Sequence, residues 1–347
     1  MKKTLIALAV LAASGASFAQ VTITGKVGFG FGKSASQTDS NANFGSGMQL
    51  YDGDVNFTAN EDLGGGMRAI ASTEVQLRGR SDQLATATTN GAQFRPRNAT
   101  IALITPIGVF SGGAIESPSG FFRATSYKDF LNTGFDSANG PWDGKANIDF
   151  VRYLVPVSAL PGLQLSVWYT EVGAGVGNGV VNGSSTKITA PVLMANYASG
   201  PITAYFDYTL FSSQRAAGIP AVIKPVVDGL NRYRIGGDYN FGFAKVFVGY
   251  QTRDHSLPDQ YALGLTVPLG ATTVNLTYGA RDAGKADAQY GLAADVERTG
   301  AALQVQYNFS KQTLAEVSYE TYTGGAKIAN GERDLSDGYR ITLRKFF

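Results

Sequence analysis

The chain has 347 residues, no Cys, a single His, 43 Gly and 16% charged residues, with 29 Lys+Arg against 27 Asp+Glu. Lack of cysteine excludes a disulfide scaffold, a thiolate metal site, an iron–sulfur cluster and a Cys nucleophile, and one His leaves little room for a His-based metal site. No basic block marks a nucleic-acid binder, and the 17 Tyr and 20 Phe among so many glycines suggest an all-β protein.

Residues 1–19 carry Lys2 and Lys3, then an apolar stretch from Leu5 to Ala13, with Ser17 and Ala19 at the −3 and −1 positions of a cleavage site. This predicts a secretory signal peptide, too short in its apolar part to span a bilayer. Cleavage before Gln20 removes two lysines and no acid, leaving 27 basic residues against 27 acidic ones in a single domain over 20–347.

From Gln20 onward the dominant signal is alternation with a period of two. Val21, Ile23, Val27 and Phe29 share one face of the first segment, and Thr22, Thr24, Lys26 and Gly28 share the other. The next repeats it, with Val55, Phe57 and Ala59 opposed to Asp54, Asn56 and Thr58. Strands are expected near 21–32, 48–60, 66–80, 94–104, 108–116, 147–156, 162–171, 187–198 and 201–211. Others follow near 231–240, 244–253, 260–268, 272–281, 299–309, 312–322 and 337–347. That is about sixteen strands of roughly ten residues, an even number of the size used by transmembrane barrels.

Short connections, such as Asp62 to Gly66, Thr105 to Gly108 and Pro268 to Gly270, alternate with long polar ones. The long ones are 33–47, 81–93, 117–146, 172–186, 212–230, 282–298 and 323–336. Short turns on one side and long loops on the other suit an outer-membrane barrel. So does the content of the polar faces, which are rich in Thr, Asn, Gln, Ser and Gly, where a soluble sandwich would show charge to bulk water. Tyr51, Tyr169, Tyr239, Tyr250, Tyr278, Tyr307, Tyr319 and Tyr339 fall near strand ends on the apolar phase, as an aromatic girdle requires.

Several segments resemble the Gram-negative general porins of the β-proteobacterial and neisserial kind. Asn60 to Ala69, reading Asn-Glu-Asp-Leu-Gly-Gly-Gly-Met-Arg-Ala, is similar to the family's turn between its second and third strands. Arg97 to Leu103 resembles its Arg-Gln-Ala-Tyr-Val-Gly-Leu strand, and Tyr153 to Leu163 its Tyr-x-Ser-Pro-x-x-x-Gly-Phe stretch. Tyr239 to Phe247 and Leu263 to Gly270 follow in order, and Phe347 supplies a terminal aromatic. The resemblance covers the whole chain after the leader.

It implies a transmembrane antiparallel barrel of sixteen strands, a homotrimer in outer-membrane lipid, and a long loop folded into the lumen, here 117–146. It also implies passive diffusion of small hydrophilic solutes and ions, with no cofactor, no metal and no nucleic-acid partner. Selectivity in such a pore comes from its radius and from opposed charges across the constriction. Inward cations by parity or by match are Lys26, Arg95, Arg97, Arg152, Arg234, Arg340 and Arg344, and inward acids are Asp54, Glu74, Asp238, Glu316 and Glu320, with Asp129 and Asp136 on the loop. The pattern departs from the family at Asp54 and Thr58, where arginines are usual, and at Gly113-Ala114-Ile115, where Gly-Arg-Gln is usual. Weak selectivity, shifted toward cations relative to arginine-rich members, is expected.

Alternatives are a solute-preferring outer-membrane channel, an adhesin or structural barrel, and an outer-membrane hydrolase. The hydrolase would rest on His255, between Asp254 and Ser256. Neighbours on a strand end point opposite ways and do not make a triad.

Overall fold

The computed structural model describes residues 20–33, 46–77, 94–116, 147–156, 161–172, 186–215, 229–255, 257–285, 294, 296–323 and 337–347. The leader and the long loop with Asp129 and Asp136 lie outside the described residues, as does the side chain of Arg95.

The strands are β1 (Gln20–Lys33), β2 (Gly47–Gly64), β3 (Met67–Leu77), β4 (Phe94–Thr105), β5 (Gly108–Glu116) and β6 (Asn147–Val155). Next come β7 (Leu163–Val172), β8 (Thr186–Thr189), β9 (Val192–Ser199), β10 (Ile202–Thr209), β11 (Ser212–Arg215) and β12 (Arg232–Asn240). The chain closes with β13 (Lys245–Arg253), β14 (Gln260–Leu269), β15 (Thr272–Arg281), β16 (Arg298–Ser310), β17 (Thr313–Thr323) and β18 (Gly338–Phe346).

All pair antiparallel with their neighbours, and β1 pairs with both β2 and β18, so the sheet closes on itself. Both β8 and β9 pair with β7, while β11 pairs with β8 and β10 with β9. Each couple is therefore one barrel strand broken in the middle, and the eighteen segments make sixteen barrel strands. The first break falls at Ala190-Pro191, because Pro191 has no amide to give to a ladder. Backbone pairing bridges both gaps, through Ala190 N to Thr170 O (2.8 Å) and Leu210 N to Pro191 O (2.9 Å). Pairing of β18 with β1 removes the open edges that a flat sheet would present to lipid.

The inside–outside pattern is the reverse of a soluble protein's. On β18, Ile341 and Leu343 are 58% and 57% exposed on the outer face, while Arg340, Thr342 and Arg344 between them are buried. The same alternation puts Val317 and Tyr319 outside on β17, with Glu316, Ser318 and Glu320 inside. A Lys or Arg on the lipid face at mid-bilayer costs about 2–4 kcal/mol, and the outward Lys345 sits at the last rungs of its strand. Outward aromatics gather at both ends. Phe110–Tyr153, Tyr239–Phe241 and Tyr307–Phe309 flank the short turns, with ring centroids 4.8, 4.6 and 5.2 Å apart. Phe31–Tyr339, Tyr208–Tyr233 and Tyr250–Tyr261 stand at the opposite rim, the one that carries the long loops, at 6.4, 4.6 and 5.3 Å.

Strand β2 runs to Gly64, past the expected limit of 60, and the turn narrows to Gly65 and Gly66. Gly64, Gly65 and Gly66 have φ of 75°, 62° and 80°, a left-handed run that only glycine adopts readily. Asp62 Oδ1 accepts the Gly64 amide at 2.8 Å and starts the turn.

Candidate functional site

The lumen wall is built around the seam where the chain's two ends meet. Gly28, Gly30 and Gly32 of β1 lie directly opposite Arg344, Thr342 and Arg340 of β18. A Cβ on Gly30 would run into the Ile341 carbonyl oxygen, and one on Gly28 would come within 2.8 Å of Asp52 Oδ2. The glycines therefore let long polar side chains lie flat across the wall. A bulge in the β1–β2 ladder between Gly28 and Phe29 shifts the register beside Tyr51. This corrects the outward assignment of Tyr51: its ring lies under the Arg340 guanidinium, 5.1 Å from centroid to Cζ.

From the seam a network of charges spreads over neighbouring strands. Lys26 Nζ lies 3.1 Å from Asp52 Oδ1 and 3.6 Å from Asp54 Oδ2. Arg344 reaches Asp52 Oδ2 with Nε at 2.5 Å and Glu316 Oε2 with Nη1 at 3.5 Å. Glu316 also pairs with Arg340 and accepts from Gln306 Nε2 at 3.1 Å. On the other side, Arg97 Nε donates to Glu116 Oε2 at 2.7 Å, and Nη2 lies 2.6 Å from the same oxygen. Its Nη1 lies 3.2 Å from Glu74 Oε1 and 3.6 Å from Asp54 Oδ1. A second bulge, between Glu74 and Val75 in the β3–β4 ladder, leaves Arg97 unpaired in the register. Arg97 and its neighbour Asn98 consequently both reach Glu74.

Four cations (Lys26, Arg97, Arg340, Arg344) thus meet five carboxylates (Asp52, Asp54, Glu74, Glu116, Glu316). Opposite charges a few ångströms apart cancel within a Debye length of about 8 Å at physiological salt, so this wall throws little field into the lumen. A recess of about 500 Å³ opens against it, lined by Thr24, Lys26, Asp54, Asn56, Glu74 and Arg97 among others.

A second stretch of wall runs across β10 and β12 to β16. Asp207, Arg234, Gln251, Gln260, Arg281 and Arg298 form one continuous cross-strand row. Arg234 Nε donates to Asp207 Oδ1 at 2.8 Å, and Gln251 Nε2 to Gln260 Oε1 at 3.1 Å. One rung nearer the long loops, Arg232 faces Arg253, and both guanidiniums lie over the Phe211 ring at 5.6 and 5.8 Å. Lys245 Nζ pairs with Asp238 Oδ1 at 2.8 Å.

On β6, Arg152 stands apart. Its Nε donates to Ser111 Oγ at 2.9 Å, and its Cζ lies 4.9 Å from the centre of the Trp168 ring. Trp168 in turn donates from Nε1 to Ser166 Oγ at 2.9 Å and packs on Phe150, centroids 4.9 Å apart.

The structure thus places Lys26, Asp54, Glu74, Arg97, Arg152 and Arg340 on the lumen wall and joins all but Arg152 to one network. Arg95 pairs with Gln76 in the β3–β4 ladder. Sequence reasoning missed Asp52, Glu116, Ser111, Trp168, Asp207, Arg232, Arg281 and Arg298. Several border loops, where alternation fades; Asp207 and Trp168 had readable inward parity as signal.

A closed sixteen-stranded barrel, with lipid-suited residues outside and a polar, charged wall inside, defines an outer-membrane pore. A family model described as Gram-negative porin matches residues 4–327, and the chain belongs to that family. It is an outer-membrane diffusion channel. It is 26% identical over 365 residues to outer membrane porin protein 32 of Delftia acidovorans, covering 98% of this chain and 99% of that one. Its fold matches the solved anion-selective porin from Comamonas acidovorans, with TM-score 0.67 and 20% identity over 95% of this chain and 100% of that one. OmpT of Vibrio cholerae, solved in a trimer form, matches with TM-score 0.65 and 15% identity over 94% and 99%.

Proposed function

We propose that this chain is a general diffusion channel for small hydrophilic solutes and ions, weakly charge-selective, without catalytic activity, and working as a homotrimer in outer-membrane lipid. The observation that carries weak selectivity is the pairing of Lys26, Arg97, Arg340 and Arg344 with carboxylates of the same wall. Asp54 lies within that network, where arginine-rich relatives carry a cation, and it lowers the net positive charge near Arg97. The relative from Comamonas acidovorans is described as anion-selective, and this chain is proposed to lean less toward anions. Trimer formation is supported by the trimer form of the OmpT relative. Removal of 1–19 as a signal peptide is supported by Lys2 and Lys3 ahead of the apolar stretch from Leu5 to Ala13, with Ser17 and Ala19 at the cleavage positions.

The deciding experiment is conductance of the purified protein in a planar bilayer, with zero-current potentials under a salt gradient. Stepwise ohmic insertions in triplets with a small potential are expected. No channel activity would overturn the reading, and a strong anion preference would overturn its selectivity.

A further inference from the structure

The wall cations of the seam differ from Arg152 in what their guanidinium edges hold. Arg97 uses Nε and Nη2 on Glu116 and directs Nη1 to Glu74. The guanidiniums of Arg344 and Arg340 are engaged by Asp52 and Glu316. Arg152 uses only Nε, on the neutral Ser111 hydroxyl. Among the described residues, its Nη1 and Nη2 have no hydrogen-bond partner and no carboxylate lies in ion-pair contact, and the side chain is half-buried on the lumen side.

Two neighbours fix the plane of that group. Ser111 lies directly opposite Arg152 in the β5–β6 ladder and anchors Nε. Trp168 lies directly opposite on β7, and the guanidinium Cζ lies over its ring. Trp168 is itself held by Ser166 and Phe150. A guanidinium tethered at Nε and held over an indole leaves its Nη1/Nη2 edge as the one to offer to a solute. That edge matches the two oxygens of a planar carboxylate, forming two parallel N–H···O bonds, whereas a spherical anion cannot use both donors in line. Stacking on Trp also lets Arg152 keep its charge in a half-buried position without a fixed carboxylate.

We propose that Arg152 is a binding rest for the carboxylate group of permeating organic anions, with Ser111 and Trp168 as positioning residues. It rests on the channel reading and adds a solute class to it: planar monocarboxylates, distinguished from simple inorganic anions by the two-donor edge and not by charge alone.

The test is single-channel recording on the full mature chain in potassium chloride, titrating in benzoate, with bromide as the spherical control anion. Benzoate is expected to reduce chloride current saturably in the wild type, while bromide is not. R152K keeps the charge but loses the paired edge, and is expected to raise the half-blocking benzoate concentration about tenfold, the loss of one hydrogen bond to a charged group. W168L is expected to raise it less, with a heat-modifiable band on a gel showing an intact fold. No saturable benzoate block in wild-type channels overturns the proposal while leaving the channel reading in place, and so does equal block of R152K and wild type. Absence of any conductance fails the channel reading instead.

Discussion

Arg344 faces Gly28 directly across the β1–β18 ladder, and its guanidinium reaches Asp52 Oδ2 at 2.5 Å on the strand beyond. One ion pair thereby crosses three strands, from the last to the first to the second, and is fully buried at the arginine end. Barrel closure and lumen electrostatics are the same feature here.

Removing that arginine leaves Asp52 and Glu316 short of a cation in a place where both are buried. Loss of one partner of a buried pair costs about 3–5 kcal/mol. Arg344→Ala should therefore lower the urea midpoint for unfolding in detergent, followed by tryptophan fluorescence. Adding Glu316→Gln should recover part of the loss, since one uncompensated charge goes with it.

The glycines of β1 make a sharper prediction. A Cβ at Gly30 has no space beside the Ile341 carbonyl, which belongs to the facing strand. Gly30→Val should force the seam apart and cost roughly 2–4 kcal/mol. The folded, heat-modifiable band on a gel should convert at a lower temperature. Gly64→Ala, at an exposed turn with φ of 75° and open space around it, should cost less, on the order of 1 kcal/mol.

Asp54 is where selectivity is most easily moved. It sits between Lys26 and Arg97 at 3.6 Å from each. Asp54→Asn removes the negative charge that both cations share, and should raise the chloride-to-potassium permeability ratio by on the order of twofold to threefold at low salt. The shift should shrink above about 1 M salt, where the Debye length is near 3 Å. An unchanged zero-current potential would show that this recess lies off the conduction path.

At the long-loop rim, Asp337 accepts hydrogen bonds from the Tyr319 and Thr321 hydroxyls, both at 2.7 Å. Donation by Thr321, then by Tyr319, holds its carboxyl below the ordinary carboxylate range. The contribution is present above the unfolded-chain value of about 3.9 and is lost as pH falls through the lower folded value. Protection factors for amide exchange at Gly338 and Tyr339, taken relative to the intrinsic rate at each pH, should fall on acidification in the wild type, and Asp337→Asn should already show low protection at neutral pH.

Nearly all of the scaffold was legible by counting in twos. The sixteen expected strands all appear, within a few residues at each end. The two breaks were not foreseen, although Pro191 marked one of them. Counting in twos fails at bulges, because one inserted residue inverts every later assignment on that strand. Tyr51 was placed outside for that reason, and Arg97 and Asn98 share the lumen side for the same one.

Taken alone, the sequence determined which residues face lipid and which face water wherever a strand runs without a bulge, since that follows from a side-chain period set by the backbone of each strand. Which charge meets which was decided only by the tertiary structure. Lys26 is bound to acids of β2, Arg344 reaches from the far end of the chain to the same Asp52, and Arg152 is left with a serine and an indole. Those outcomes depend on register and closure between strands distant in sequence. Coulomb energy depends on ångström separations that no local pattern encodes.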